Sequence, residues 1–236
     1  VSVELDRLSE AHRLAQSRLA ASSSQSLLSV WRLLDGFALD ATSRAWLDSA
    51  VPIVIGQRRV SASLAAAYLD AIKKAALGAD AVLGAVLDAG ISEEQVVTSL
   101  TVTGPVSVKS ATARGVSVVE AMESGAVGVA RAGSRMVLGG GRETVLRTVA
   151  ADGVGWARIT SGKPCAFCAM LASRGAVYGR ESGAFQAHDG CHCGVQPLYG
   201  GDLPASSERW AGLWGEASGA EGDTVKVFSA LVAGLS

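Results

Sequence analysis

The chain has 236 residues, enough for one large domain or two modest ones with a real hydrophobic core. Apolar residues make up 49% and charged residues 18%, but the excess is Ala, Val and Gly, and a charged residue or Gly interrupts every apolar run before the ~20 residues a spanning helix needs, which argues against a membrane protein. A net charge of −1 excludes a globally basic nucleic-acid binder.

The charge is unevenly spread: residues 1–104 carry nine basic and eleven acidic side chains, 105–200 ten and six, and 201–236 two and five, so the mildly positive middle reads first as a solvated face. The chain opens on the charged amphipathic stretch Glu4 to Arg18, which does not read as a signal peptide. Within it Leu5, Leu8, His12, Ala15 and Leu19 recur at steps of three and four and predict a helix from Val3 to Ala21, with His12 a packed, hydrogen-bonded core residue rather than a ligand. Ser22-Ser23-Ser24 either ends this helix or is absorbed in it, and Leu27, Val30, Trp31 and Leu34 continue the pattern to Gly36, beside a turn at Asp35 to Asp40. Trp46, Ile53, Gln57, Val60, Leu64, Tyr68 and Ile72 share one face of a long amphipathic helix, which Pro52 should kink or divide and Gly78 should close.

Ser92 and Gln95 form a capping-box pattern for a short helix from Glu93. Thr101-Val102-Thr103 reads as extended chain and Gly104-Pro105 as a break. Val108, Ala111, Gly115, Val118, Met122 and Ala126 return to helical spacing, Gly139-Gly140-Gly141 reads as a linker that ends the helix, and Arg142 to Ala150 restarts one. From Asp152 the pattern changes to short segments punctuated by Gly, Pro and Cys: a strand at Val154 to Thr160, a short helix at Cys165 to Ser173, a second strand at Ala176-Val177-Tyr178 and a third at Gly194 to Tyr199. Trp210, Leu213 and Trp214 mark one helical turn, and Val225 to Leu231 is a helix or a strand. The fold class expected is mostly α with a small α+β zinc-binding module: a helical region over 1–151, the zinc module over 152–200 and a C-terminal extension over 201–236.

All four cysteines fall between positions 165 and 193, and with no secretory signal such clustering reads as metal binding rather than as a disulfide framework. Cys165-x-x-Cys168 sets two thiolates in a tight turn supplied by Gly162, Lys163 and Pro164, where both can reach one tetrahedral ion. His188 and Cys191 repeat the three-residue step, and Cys193 falls on the same side of an extended segment. Cys165, Cys168 and Cys191 come first as ligands, with His188 placed ahead of Cys193 as the fourth; His192 points away. A redox Cys pair, an iron–sulfur cluster and a catalytic thiol paired with His188 are weaker readings, since the thioredoxin context, the ferredoxin spacing and a third orienting group are not visible. The ion expected is Zn2+, in a closed structural site that contributes about 10 kcal/mol or more to folding. Asp189 and Glu181 are the only acids in the segment that could serve a catalytic metal.

The stretch Thr160-Ser161-Gly162-Lys163-Pro164-Cys165-Ala166-Phe167-Cys168, continuing to Tyr178 and followed by Phe185-Gln186-Ala187-His188-Asp189-Gly190-Cys191-His192-Cys193, resembles the minor head protein family of tailed phages named after the F protein of phage Mu, in its actinobacterial-phage form. Leu100-Thr101-Val102-Thr103-Gly104-Pro105 is a secondary cue. The resemblance implies a low-copy minor capsid (head morphogenesis) protein of the virion, at the head interior or portal vertex after assembly in the host cytoplasm. Its implied partners are the portal protein and the major capsid or scaffolding protein, with non-specific phage DNA contact as a further one and no membrane. Two alternatives stand beside it. A capsid maturation protease would need a free histidine or a His-Glu-x-x-His pair, and the three histidines leave little to work with. A zinc-containing nucleic-acid-binding module would rest on the segment 156–200, which is only +2. An assembly protein, not an enzyme, is therefore expected.

Overall fold

A computed structural model describes residues 2–82, 84–160, 163–177, 185 and 187–235. Three long helices form a bundle: α1 (Ser2–Trp31), α2 (Leu39–Leu77) and α5 (Val118–Asp152), each packed against the other two. The serine run is absorbed into α1. Ser23 and Ser26 return their hydroxyls to the carbonyls of Leu19 and Ser22, which satisfies them inside the helix, and Ser24 meets Ser134 of α5 at 2.9 Å. The turn after α1 forms as expected, with the Phe37 N–H donating to the Asp35 carboxylate at 2.9 Å.

Pro52 does not divide α2, which runs unbroken to Gly78, a cap with φ of 103° whose N–H donates to the Lys74 carbonyl. The buried stripe drifts from the sequence pattern: Val60 is exposed, and Ser61, Ala62 and Ala65 carry the contact instead. From Gly78 the chain crosses back over the α2–α5 seam without regular structure. The N–H groups of Val86 and Asp88 donate to Thr148 and Thr144, one helical turn apart on α5, and the Asp88 carboxylate takes the Nε and Nη2 of Arg58 at 2.6 and 2.8 Å.

The capping box of Ser92 and Gln95 opens α3 (Glu93–Thr101) as expected. Here the expectation of an extended Thr101-Val102-Thr103 and a break at Gly104-Pro105 is wrong. A π turn (Val102–Val106) carries the helix through Pro105 into α4 (Ser107–Ala113). Gly104 faces a tight junction, where a Cβ would lie 3.0 Å from the Trp46 ring and 3.2 Å from Trp31. Packing outweighs local propensity.

The second correction is in α5. The chain breaks at Gly115, whose φ is 89°, and not at Gly139-Gly140-Gly141, which lie inside the helix. Interior glycine costs about 1 kcal/mol each against alanine, but here bareness is used. A Cβ on Gly140 would sit 2.3 Å from the Arg58 carbonyl oxygen, and one on Gly141 would sit 2.5 Å from the Gln16 amide. The glycines let α1 and α2 close on α5.

After α5, β1 (Trp156–Ile159) pairs antiparallel with β2 (Gly194–Pro197), from Trp156 opposite Pro197 to Ile159 opposite Gly194. The short helix α6 (Ala166–Ser173) forms as expected, but the second strand does not: Gly175–Val177 is a 3-10 turn, and Tyr178 lies outside the described residues. The weak C-terminal pattern conceals two helices, α7 (Ala205–Gly219) and α8 (Thr224–Gly234). They close on α6 through Ala169, Ala172, Trp210, Ala217, Phe228 and Val232. Helix covers 73% of the described residues, so the fold is mostly α with a small two-stranded sheet. No helix among the described residues is long and apolar enough to cross a membrane.

The bundle and the sheet share a core. Leu5, Tyr68, Leu69, Ile72, Val145 and Val149 pack with Trp156 and Val195. That seam fixes where the two cysteine segments, one before α6 and one before β2, can meet.

Candidate metal centre

Cys165 is the N-cap of α6, and its Sγ accepts the Cys168 N–H at 3.4 Å, the amide-to-sulfur contact expected of two cysteines in one tight turn. Lys163 is exposed and Pro164 buried in that turn; Gly162 lies outside the described residues. The second segment arrives as a loop at 187–193, where the Cys191 N–H donates to the His188 carbonyl at 3.1 Å and Gly190 takes a φ of 79°. The four cysteines are free thiols, Cys165 exposed and the other three buried.

The two segments converge. His188 Nε2 lies 3.2 Å from Cys165 Sγ and 3.6 Å from Cys168 Sγ, and Cys168 Sγ lies 3.7 Å from Cys191 Sγ. Two groups of donor atoms, Cys165–Cys168–His188 and Cys168–Cys191–Cys193, each lie within 4.8 Å and share Cys168. A tetrahedral ion with metal–sulfur bonds near 2.3 Å and metal–nitrogen bonds near 2.0 Å has S···S edges of about 3.8 Å and S···N edges of about 3.5 Å. The observed separations fall close to those edges, so the five residues could hold a metal. His188 Nδ1 lies 2.9 Å from the Asp189 carbonyl oxygen, which leaves Nε2 for the thiols.

Two arginines complete the surroundings. Arg142 of α5 is buried and donates from Nε to the Cys193 carbonyl at 3.0 Å and from Nη2 to the Cys191 carbonyl at 2.6 Å. Arg158 of β1 is buried with Nη1 3.9 Å from Cys168 Sγ, and its guanidinium lies 3.8 Å from the centre of the Phe185 ring. Buried cations need anions nearby. A divalent ion on three thiolates and an imidazole carries about −1, and on four thiolates about −2, the sign these guanidiniums match.

The thiols perturb one another. Hydrogen bonding among them raises Cys168 through Cys191 and Cys193 and lowers Cys191 through Cys168 and Cys193. Burial works to raise Cys165, and hydrogen bonds from Cys168 and His188 outweigh it and leave the thiol below its usual range. His188 is raised chiefly by its bond to the Asp189 carbonyl.

His192 is exposed and turns to another side, lining a small cavity with His12, Arg13, Gln16 and Arg142. His12 does not hydrogen-bond among the described residues; it stacks on Tyr68 with ring centres 4.4 Å apart and planes within 6°. Burial pushes it down to about 4. Of the two acids noted beside the cluster, Asp189 is bound by Arg135 Nε at 2.5 Å, and Glu181 lies outside the described residues. Sequence reasoning set Arg142 at the start of a separate short helix after a glycine linker, which hid its place in the interior of a long bundle helix facing the cysteine loop. Arg158 had a weak signal, a lone charge in a strand otherwise apolar.

Among known protein families, that described as VG15 protein matches residues 4–217, from the first turns of α1 into α7. No curated protein and no solved structure matches.

Proposed function

We propose, from the premise that this chain belongs to the VG15 protein family, a phage family, that it is a minor head protein acting beside the portal during procapsid assembly. The observation that carries the reading is the meeting of the two motif segments, Cys165–Cys168 and His188–Cys193, in two groups of donor atoms that share Cys168, in a phage protein. They are the residues on which the likeness to the Mu F-type minor head proteins rests. The zinc is structural in this reading, held by Cys165, Cys168, Cys191 and His188, with Cys193 behind them against Arg142. Four donors close a tetrahedron and leave no place for substrate, and Asp189, next in sequence to His188, is already held by Arg135.

An assembly role rather than an enzymatic one is supported by the histidines. His12 is stacked on Tyr68 and His188 is turned to the thiols, and among the described residues none of the three histidines hydrogen-bonds a serine hydroxyl as a base would. The bundle end offers the docking surface: Phe37 at the α1–α2 turn is 86% exposed, and Leu33 and Val119 are exposed as well. The portal protein, with the major capsid or scaffolding protein beyond it, is the partner we assign to that end.

Quantitative peptide mass spectrometry of purified procapsids and mature heads tests this. A few copies persisting per mature head, with shell-protein termini unaltered when Cys168 is replaced, is the expected result. Loss of the chain on maturation, with uncut shell protein in that variant, would favour a maturation protease instead.

A further inference from the structure

Helix α2 sacrifices stability at one exposed place without any return inside the chain. Pro52 removes a main-chain donor from its interior, and Gly56, one turn on, contributes no side chain. The glycines of α5 behave differently: a Cβ on Gly133 would meet Leu27 at 2.2 Å and one on Gly140 would meet Arg58 at 2.3 Å, so neighbours in the same chain fill the space. A Cβ on Gly56 would meet nothing within 4 Å.

The bare turn lies in an open groove of about 680 Å³ between α2 and α3, floored by Leu47, Ile55 and Val97. Its rim holds an Arg44–Asp48 pair at 3.0 Å and two further charges, Arg59 from α2 and Glu93 from α3. The Arg59 and Glu93 side chains make no ion pair or hydrogen bond among the described residues. One groove thus presents an apolar floor, a stripped helical turn and one unpaired charge of each sign.

We propose that a second copy of this chain seats in this groove, helix α2 against helix α2, about a two-fold axis passing near Gly56. A two-fold contact sets the same patch on both partners, so the patch must complement itself. This one does: the axis brings each copy's Arg59 to the other's Glu93. A partner of single charge sign would leave one of the two facing its like. Gly56 at the crossing lets the helices approach more closely than the usual 8–10 Å between axes. Pro52 stiffens the turn beside it and leaves the Asp48 carbonyl without its helical donor, free to accept from the other copy.

Light scattering after size-exclusion chromatography of the full chain, over a wide range of concentration, reads the result directly. The expected outcome is a dimer that dissociates on dilution. Arg59→Glu and Glu93→Arg should each weaken it about tenfold or more, and the two together should restore it. Gly56→Leu should abolish the dimer, while Gly56→Ala should raise the monomer's thermal midpoint and weaken association, which separates lost pairing from lost folding. A chain monomeric at every concentration overturns the proposal. So does a dimer indifferent to Gly56→Leu, or one that the double charge reversal fails to recover.

Discussion

Arg142 of α5 reaches out of the bundle and donates to the main-chain carbonyl of Cys191 at 2.6 Å, and its second donor holds the Cys193 carbonyl. The bundle thereby grips the backbone of the metal loop, while the sulfurs remain free to turn inward. Arg142→Met should keep the packing of the stem but drop both charge-assisted bonds, destabilising the chain by about 3 kcal/mol and weakening zinc binding about 10- to 100-fold. Urea unfolding and competition against a chromophoric chelator measure the two effects. A variant with unchanged zinc affinity would show that the grip does not orient the ligands.

Cys168 belongs to both groups of donors, so Cys168→Ser should be the most damaging single change at the centre. Zinc content by elemental analysis should fall from stoichiometric to near zero. The tryptophan fluorescence of Trp156 and Trp210, which border the sheet and α6, should lose its buried character, while helical circular dichroism from the bundle persists. Full zinc content in this variant would refute the assigned ligands.

Gly140→Ala improves helix propensity by about 1 kcal/mol and yet should destabilise. The new Cβ would lie 2.3 Å from the Arg58 carbonyl oxygen, a backbone atom that cannot swing aside, and overpacking of this kind costs about 1–3 kcal/mol or more. Thermal unfolding of Gly140→Ala beside Gly212→Ala, where the added Cβ meets nothing within 4 Å, gives the comparison; the first should lower the midpoint and the second should not.

His12 links stability to pH. Burial holds its folded value at about 4, below the ordinary 6.5, so the unfolded chain takes up the proton first as pH falls. Stability from this residue is intact above the ordinary value, declines between it and the folded value, and levels off below that, a loss of up to about 3 kcal/mol. Other groups titrate as the pH falls, so the relevant quantity is the difference between the chain and His12→Phe, which keeps the stack on Tyr68. The variant should lose less stability between neutral and mildly acidic pH in urea unfolding. Equal loss in both would remove His12 from the account.

What could be read in the sequence was whatever short spacing determines. The capping box at Ser92 and Gln95 and the Gly78 cap depend on neighbours within a turn or two, and they came out as read, while the buried face of α1 runs one residue on from the expected stripe, through Ser9, Arg13, Gln16 and Ala20. The two cysteine segments were legible because ligand chemistry needs their residue types at short steps, and the fold brings them together. What escaped depends on distant chain. Gly139-Gly140-Gly141 looks like a linker until Arg58 and Gln16 are set against it, and Gly104-Pro105 looks like a break until Trp31 and Trp46 close over it. Helices α7 and α8 were faint because their apolar faces are short, and they become stable only against α6.

The order of the chain gives the Arg142 contact a meaning in time. α1, α2 and α5 all precede the first cysteine, so during synthesis the wall that holds the metal loop emerges before the loop does. Cys191 and Cys193 then close against a surface already built, with α7 and α8 still to emerge, so a metal held there would be fitted onto a finished bundle rather than seed its folding. Without a metal, such a chain would keep a finished bundle beside an open cysteine loop.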